Sequence, residues 1–283
     1  MTRVLDAIIA SKRNEVRSLP PAPDPNAVVV QDHDNGRSPH SSHAPRQHLV
    51  RALFRRETDP LRLIAEYKPK SPSAGLLSGK LTPAERAIRY AEAGAAMVSV
   101  LCDGPFFGGS WEDLTTIRQA LSGAGYEVPV LAKEFIVDPR QLVEAHRRGA
   151  DAALIIVRIV SQSELYDLVA YAKQLHITPL VEVATEDELA AARGARADFI
   201  GVNARDLDTL AMDSARAERI VRAIPDDCMA VYLSGLRTAD DVRRIRDSRA
   251  HAALIGETLM RQDDPSELLA TMVQAAATPR GHC

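Results

Sequence analysis

From Leu61 to Met260 the chain repeats one pattern. A short apolar run gives way to a polar loop, then an amphipathic helical stretch, then a turn of small residues. The apolar runs are Leu61–Tyr67, Ala96–Leu101, Val128–Ala132, Ala152–Val157, Pro179–Val183, Phe199–Val202, Met229–Leu233 and Ala252–Ile255. Continuous runs such as AALIIV suit parallel strands covered on both faces. The helices announce themselves at their starts. Thr82-Pro83-Ala84-Glu85 combines a cap, a first-turn proline and a capping-box glutamate. Asp138-Pro139, Ser161 with Glu164, and Thr185 with Glu188 repeat the device. Gly94-Ala95, Gly149-Ala150 and Gly194-Ala195 are expected to close helices in one reused turn. Eight strands alternating with helices predict a (β/α)8 TIM barrel, whose usual size is roughly 250 residues. A doubly wound sheet would show G-x-G-x-x-G after its first strand. Here that stretch reads KPKSPSAG.

Ahead of the barrel the pattern changes twice. In residues 3–16, Val4, Leu5, Ile8, Ile9 and Val16 recur at helical spacing, which predicts an amphipathic N-terminal helix. Residues 19–47 are rich in Pro, His and polar residues, with only Val28, Val29 and Val30 apolar together. The expected organisation is an N-terminal helix (1–18), a linker or mobile insertion (19–47) and a barrel domain (48–283). His48 to Arg56 is a candidate short second helix. His33, His40, His43 and His48 have no apolar scaffold to fix a coordination geometry, so no metal is expected.

Charge narrows the partners. Among 283 residues, 35 Lys and Arg face 38 Asp and Glu, a formal charge of −3. That balance gives no general attraction to nucleic acid or an acidic membrane, and leaves room for a local basic site for a small anion. Cys102, Cys228 and Cys283 lie far apart with no Cys-x-x-Cys spacing, which fits a reducing cytoplasm. No window reaches the apolar length of a membrane span, and the N-terminus has no signal-type core.

In a barrel, chemistry sits where the strands end. The first strand ends in Glu66 and Lys68, two residues apart and so on one side of an extended chain. The second ends at Cys102 and Asp103, ahead of Phe106, Phe107 and Gly108. Lys133 and Glu134 follow the third, Arg158 the fourth, Glu182 lies in the fifth, and Asn203 and Arg205 follow the sixth. Ionic groups sharing one rim are hard to explain structurally, because burying them costs several kcal/mol per ion unless they pair. Two lysines and two glutamates suggest acid–base chemistry on a carbonyl. Lys133 could act as a general acid or as a Schiff-base nucleophile. Ser234-Gly235 and Gly256, after the last two strands, fall where barrels bind phosphate, and Ser71 could add a hydroxyl. Phe106 and Phe107 are a candidate wall for a flat substrate.

IAEYKPKSPSAG, PFFGGS, VLAKEF, LVEV, GVNARDL, LSGL and LIGETLM resemble, in order and spacing, the motifs of indole-3-glycerol phosphate synthase. LDAIIASKRNEV resembles that family's extra N-terminal helix. The resemblance implies a barrel that closes an indole ring in tryptophan biosynthesis, without a cofactor. The implied substrate is 1-(2-carboxyphenylamino)-1-deoxyribulose 5-phosphate, and CO2 and water are lost. It implies catalytic roles for Glu66, Lys68, Lys133, Glu182, Asn203 and Ser234. It places Arg205, Phe107 and Phe135 around the anthranilate half, and Ser71, Gly235 and Gly256 at the phosphate. A monomer or weak homo-oligomer is expected.

The chain departs from that family in three places. The 19–47 tract replaces the usual second helix region, Glu134 stands where Asp is common, and Leu233 where Glu usually precedes Ser-Gly. Leu233 and the tract favour a second reading, a diverged paralogue making a related indole-type phosphosugar. A non-catalytic phosphosugar-binding barrel would not require the matched acid–base set. A sister isomerase acting on phosphoribosyl anthranilate would carry different polar residues on the rim.

Overall fold

The computed structural model describes residues 4–28, 47–56, 59–71, 75–77, 79–207, 209 and 211–277. Eight parallel strands close into a barrel in chain order. They are β1 (Arg62–Tyr67), β2 (Met97–Leu101), β3 (Val130–Lys133), β4 (Ala152–Ile156), β5 (Thr178–Val183), β6 (Phe199–Asn203), β7 (Met229–Leu233) and β8 (Ala252–Ile255). Each lies within two residues of its sequence-based expectation. Side chains alternate strictly. On β1, Leu63, Ala65 and Tyr67 pack under the surrounding helices, whereas Ile64 joins the barrel interior. Two cores result: one between sheet and helices, the other inside the barrel.

The expected caps form. Thr82 and Glu85 close a capping box, as do Ser161 and Glu164. Thr185 accepts from the Glu188 N–H, but the Glu188 carboxylate turns back to the Ala184 N–H at 2.6 Å instead of completing a box. Gly94 and Gly149 take positive φ as expected. Gly194 does not. It is the last residue of its helix, against the Tyr166 hydroxyl, and Arg196 two residues later adopts φ 59°.

The N-terminal extension closes both ends of the barrel. Helix α1 (Val4–Glu15) lays Leu5 and Ile8 on the interior core at the mouth formed by the strand C-termini. The short helix Gln47–Arg51 and the turn after it seat Val50 and Leu53, almost wholly buried, in the same core from the opposite end. Part of the tract expected as a linker packs on the barrel. Val28 is buried in the outer core, and the Tyr171 hydroxyl donates to the Pro23 carbonyl at 2.7 Å. Residues 29–46, with His33, His40 and His43, lie outside the described residues. No described helix is long and apolar enough to cross a membrane.

Candidate active site

Alternation aims the strand-end charges. On β1 the inward series Ile64, Glu66, Lys68 ends with both charges in the mouth. On β3, Lys133 shares the inward parity of Leu131, while Glu134, next along the chain, meets Lys12 of α1 at the edge of the mouth. The strand pairings, with the stagger of about one residue per strand of an eight-stranded barrel, put Glu66, Lys133, Glu182 and Leu233 in one layer. Three corners of that layer are ionic and the fourth is apolar. Leu233 leans over Gly201, where a Cβ would come 2.7 Å from its Cδ1.

Glu66 anchors the layer. Its Oε1 lies 3.2 Å from Lys68 Nζ and its Oε2 3.8 Å from Lys133 Nζ, and the Ser99 hydroxyl is 3.5 Å from Oε2. Burial works against the Glu66 carboxylate, but the two ammoniums outweigh it and hold its pKa below the usual value. Glu182 moves the other way. Burial raises its pKa, only partly offset by Lys133 and by the Asn203 amide, which donates to Oε1 at 2.9 Å. Asn203 is itself held, because its Oδ1 accepts the Arg205 N–H at 2.9 Å. Two buried glutamates pushed apart in this way divide into a fixed anion and a group suited to proton transfer.

A cavity of about 590 Å³ opens above this layer. Its lining includes every residue that the family resemblance assigned to catalysis, the anthranilate half or the phosphate. Phe107 and Phe135 form one wall, their rings 5.7 Å apart and tilted by 34°. Phe106 does not line the cavity: it packs against the inner core instead. Opposite, Ser234 and Gly235 both take positive φ, 71° and 88°. Gly256 begins the short helix Glu257–Met260. Ser71 is buried in a two-stranded hairpin of Lys70–Ser71 and Gly75–Leu76. Pro72, Ser73 and Ala74 lie outside the described residues. No group of His, Cys, Asp or Glu suited to a metal occurs among the described residues.

Several groups behind the wall were not singled out from the sequence. Arg86, fully buried in the helix Pro83–Glu92, donates to the carbonyls of Leu259 at 3.2 Å and Gln262 at 3.0 Å, so it holds the short helix after Gly256. Tyr90, one turn on, donates to the Glu66 carbonyl at 3.2 Å. Val4, Leu5 and Ile8 of α1 line the cavity, and Lys12, on the same apolar stripe, is buried beneath it. The signal for Lys12 was present: a lysine seven residues after Leu5 and four after Ile8 occupies an apolar position.

A family model described as indole-3-glycerol phosphate synthase matches residues 5–272. A protein of Mycolicibacterium vanbaalenii bearing that name is 38% identical over 276 residues, covering 98% of this chain and 96% of its own. One from Rhodopirellula baltica is 41% identical over 207 residues, covering 73% of this chain and 78% of its own. Among solved structures, a thiamine phosphate pyrophosphorylase from Pyrococcus furiosus has a TM-score of 0.58 at 13% identity, over 78% of this chain and 96% of its own. A 3-hexulose-6-phosphate synthase has a TM-score of 0.58 at 17% identity, over 76% of this chain and 99% of its own. At such identities these two show the barrel alone. The family match over nearly the whole chain, together with relatives near 40% identity, shows that this chain belongs to the indole-3-glycerol phosphate synthase family.

Proposed function

We propose that the cavity converts 1-(2-carboxyphenylamino)-1-deoxyribulose 5-phosphate into indole-3-glycerol phosphate, CO2 and water, as a carboxy-lyase of tryptophan biosynthesis. Family membership supports the reaction. The observation that carries the mechanism is the shared layer in which Lys133 stands between an anionic Glu66 and a proton-shifted Glu182.

The phosphate would sit at Ser71, Gly235 and Gly256, and the anthranilate ring against Phe107 and Phe135, with Arg205 toward its carboxylate. The ring carbon bearing the carboxylate attacks the ketone carbon, and Lys133 donates a proton to the developing alkoxide. Loss of CO2 returns the bonding electrons to the ring. Glu182 then removes a proton from the carbon next to nitrogen, while Lys68 protonates the departing hydroxyl as water. Glu66 keeps both lysines in place, Asn203 orients Glu182, and Ser234 flanks the reacting carbons. The set uses protein side chains alone. It acts on a small phosphorylated substrate, and a cytoplasmic monomer or weak homo-oligomer fits the role.

The test is direct: incubate the purified protein with the substrate and follow indole fluorescence. No product at any pH would remove the assignment. Leu233, the apolar corner of the layer, favours a diverged paralogue, and turnover of a ring-substituted substrate with none of the parent compound would support that reading.

A further inference from the structure

The aromatic wall is held from behind by an ion cluster that the reaction does not use. Lys12 on α1 is only 2% exposed. Its Nζ lies 2.9 Å from Asp103 Oδ1, 3.2 Å from Glu134 Oε1 and 2.9 Å from Glu15 Oε2. Two of these carboxylates have a second task. Asp103 Oδ2 accepts the N–H groups of Phe106 at 2.8 Å and Phe107 at 3.0 Å, fixing the turn that aims the Phe107 ring. Glu134 Oε1 accepts the Phe135 N–H at 2.7 Å. Asp103 Oδ1 is buried, and among the described residues the Lys12 ammonium, 2.9 Å away, is the charge that compensates it.

We propose that Lys12 is a positioning residue for the aromatic half of the substrate: one ammonium, brought by the N-terminal helix, clamps the two carboxylates that set Phe107 and Phe135. A buried ion cluster is a poor device for stability alone, since apolar replacements are often neutral or better. Here it joins three separate chain segments at one point directly behind the wall. Docking of α1 and formation of the aromatic wall are then one event. The inference rests on the ring-binding reading of the cavity.

The test compares two ligands on the full chain by calorimetry. One is the substrate with its ketone reduced to an alcohol, which cannot react. The other is ribulose 5-phosphate, which lacks the ring. Lys12→Met should weaken the reduced substrate about tenfold and leave ribulose 5-phosphate unchanged. Lys12→Arg should restore part of the loss. Asp151→Asn, which disturbs the part-buried Arg118–Asp151 pair away from the wall, should lower the melting temperature without altering either affinity. Should Lys12→Met fail to fold, Lys12→Arg is read the same way, with about threefold expected for the ringed ligand alone. Equal weakening of both ligands, or of neither, overturns the clamp. If the wild-type protein binds neither ligand, the ring-binding reading and the clamp fall together. If it binds the ringed ligand without turning over the substrate, only the assigned reaction fails.

Discussion

Gly256 lies against the Glu66 carboxylate: a Cβ at position 256 would come within 2.5 Å of Glu66 Oε1. The turn after β8 and the ionic end of β1 are therefore fitted to one another. Gly256→Ala should push the Glu66 carboxylate off Lys68 and Lys133. A displacement near 1 Å at a reacting centre can cost about 100-fold in rate. Turnover should fall by that order while the melting temperature changes little. Unchanged turnover would mean that Glu66 does not set the lysines.

Lys133→Met should lower turnover by about 100- to 10,000-fold, the usual contribution of a general acid. Affinity for the reduced substrate should stay within about tenfold, because the phosphate and ring contacts lie elsewhere. A variant keeping more than half of normal turnover would remove Lys133 from the reaction.

Glu182 must be unprotonated to accept a proton, and burial raises its pKa. The acidic limb of kcat/KM should therefore fall at a higher pH than for an ordinary carboxylate. Asn203→Ala removes a donor that favours the ionised form, so it should move this limb up by roughly one unit. A limb that stays in place assigns it to another group.

Leu233→Glu places a like charge in the same layer as Glu182. It should also move the acidic limb upward, by roughly one unit. Superimposable profiles for wild type and variant would show that position 233 does not tune the layer.

Glu134 gives a prediction about stability. Burial raises its pKa to about 7, against the pull of Lys12. A carboxyl whose folded pKa exceeds its unfolded value binds protons more tightly when folded. Its stabilising share is complete below the unfolded pKa and is lost as pH rises toward 7. Glu134→Gln cannot ionise, yet its amide oxygen can still accept the Phe135 N–H. The variant should match wild type near pH 4 and gain on it up to pH 7, by at most about 3 kcal/mol. Denaturant titrations at several pH values will show this. A gain independent of pH would show that Glu134 does not titrate in the fold.

The alternation of apolar runs and capped helices determined the barrel, because a parallel strand buried on both faces and a helix starting at Thr82 or Ser161 leave local signatures. Glu66, Lys133 and Glu182 were legible for the same reason: a charge of inward parity at the end of an apolar run faces the mouth. Contacts between distant segments were not legible. That Lys12 meets Asp103 and Glu134, and that Arg86 holds the turn after Gly256, depend on how α1 and the first barrel helix dock. The opposed shifts of Glu66 and Glu182 likewise follow from distances to Lys68, Lys133 and Asn203 that exist only once the barrel closes. Local periodicity selects which face of an element is buried. Barrel closure and helix docking decide which buried charges meet, because desolvation and Coulomb terms vary over a few ångströms that sequence spacing does not encode.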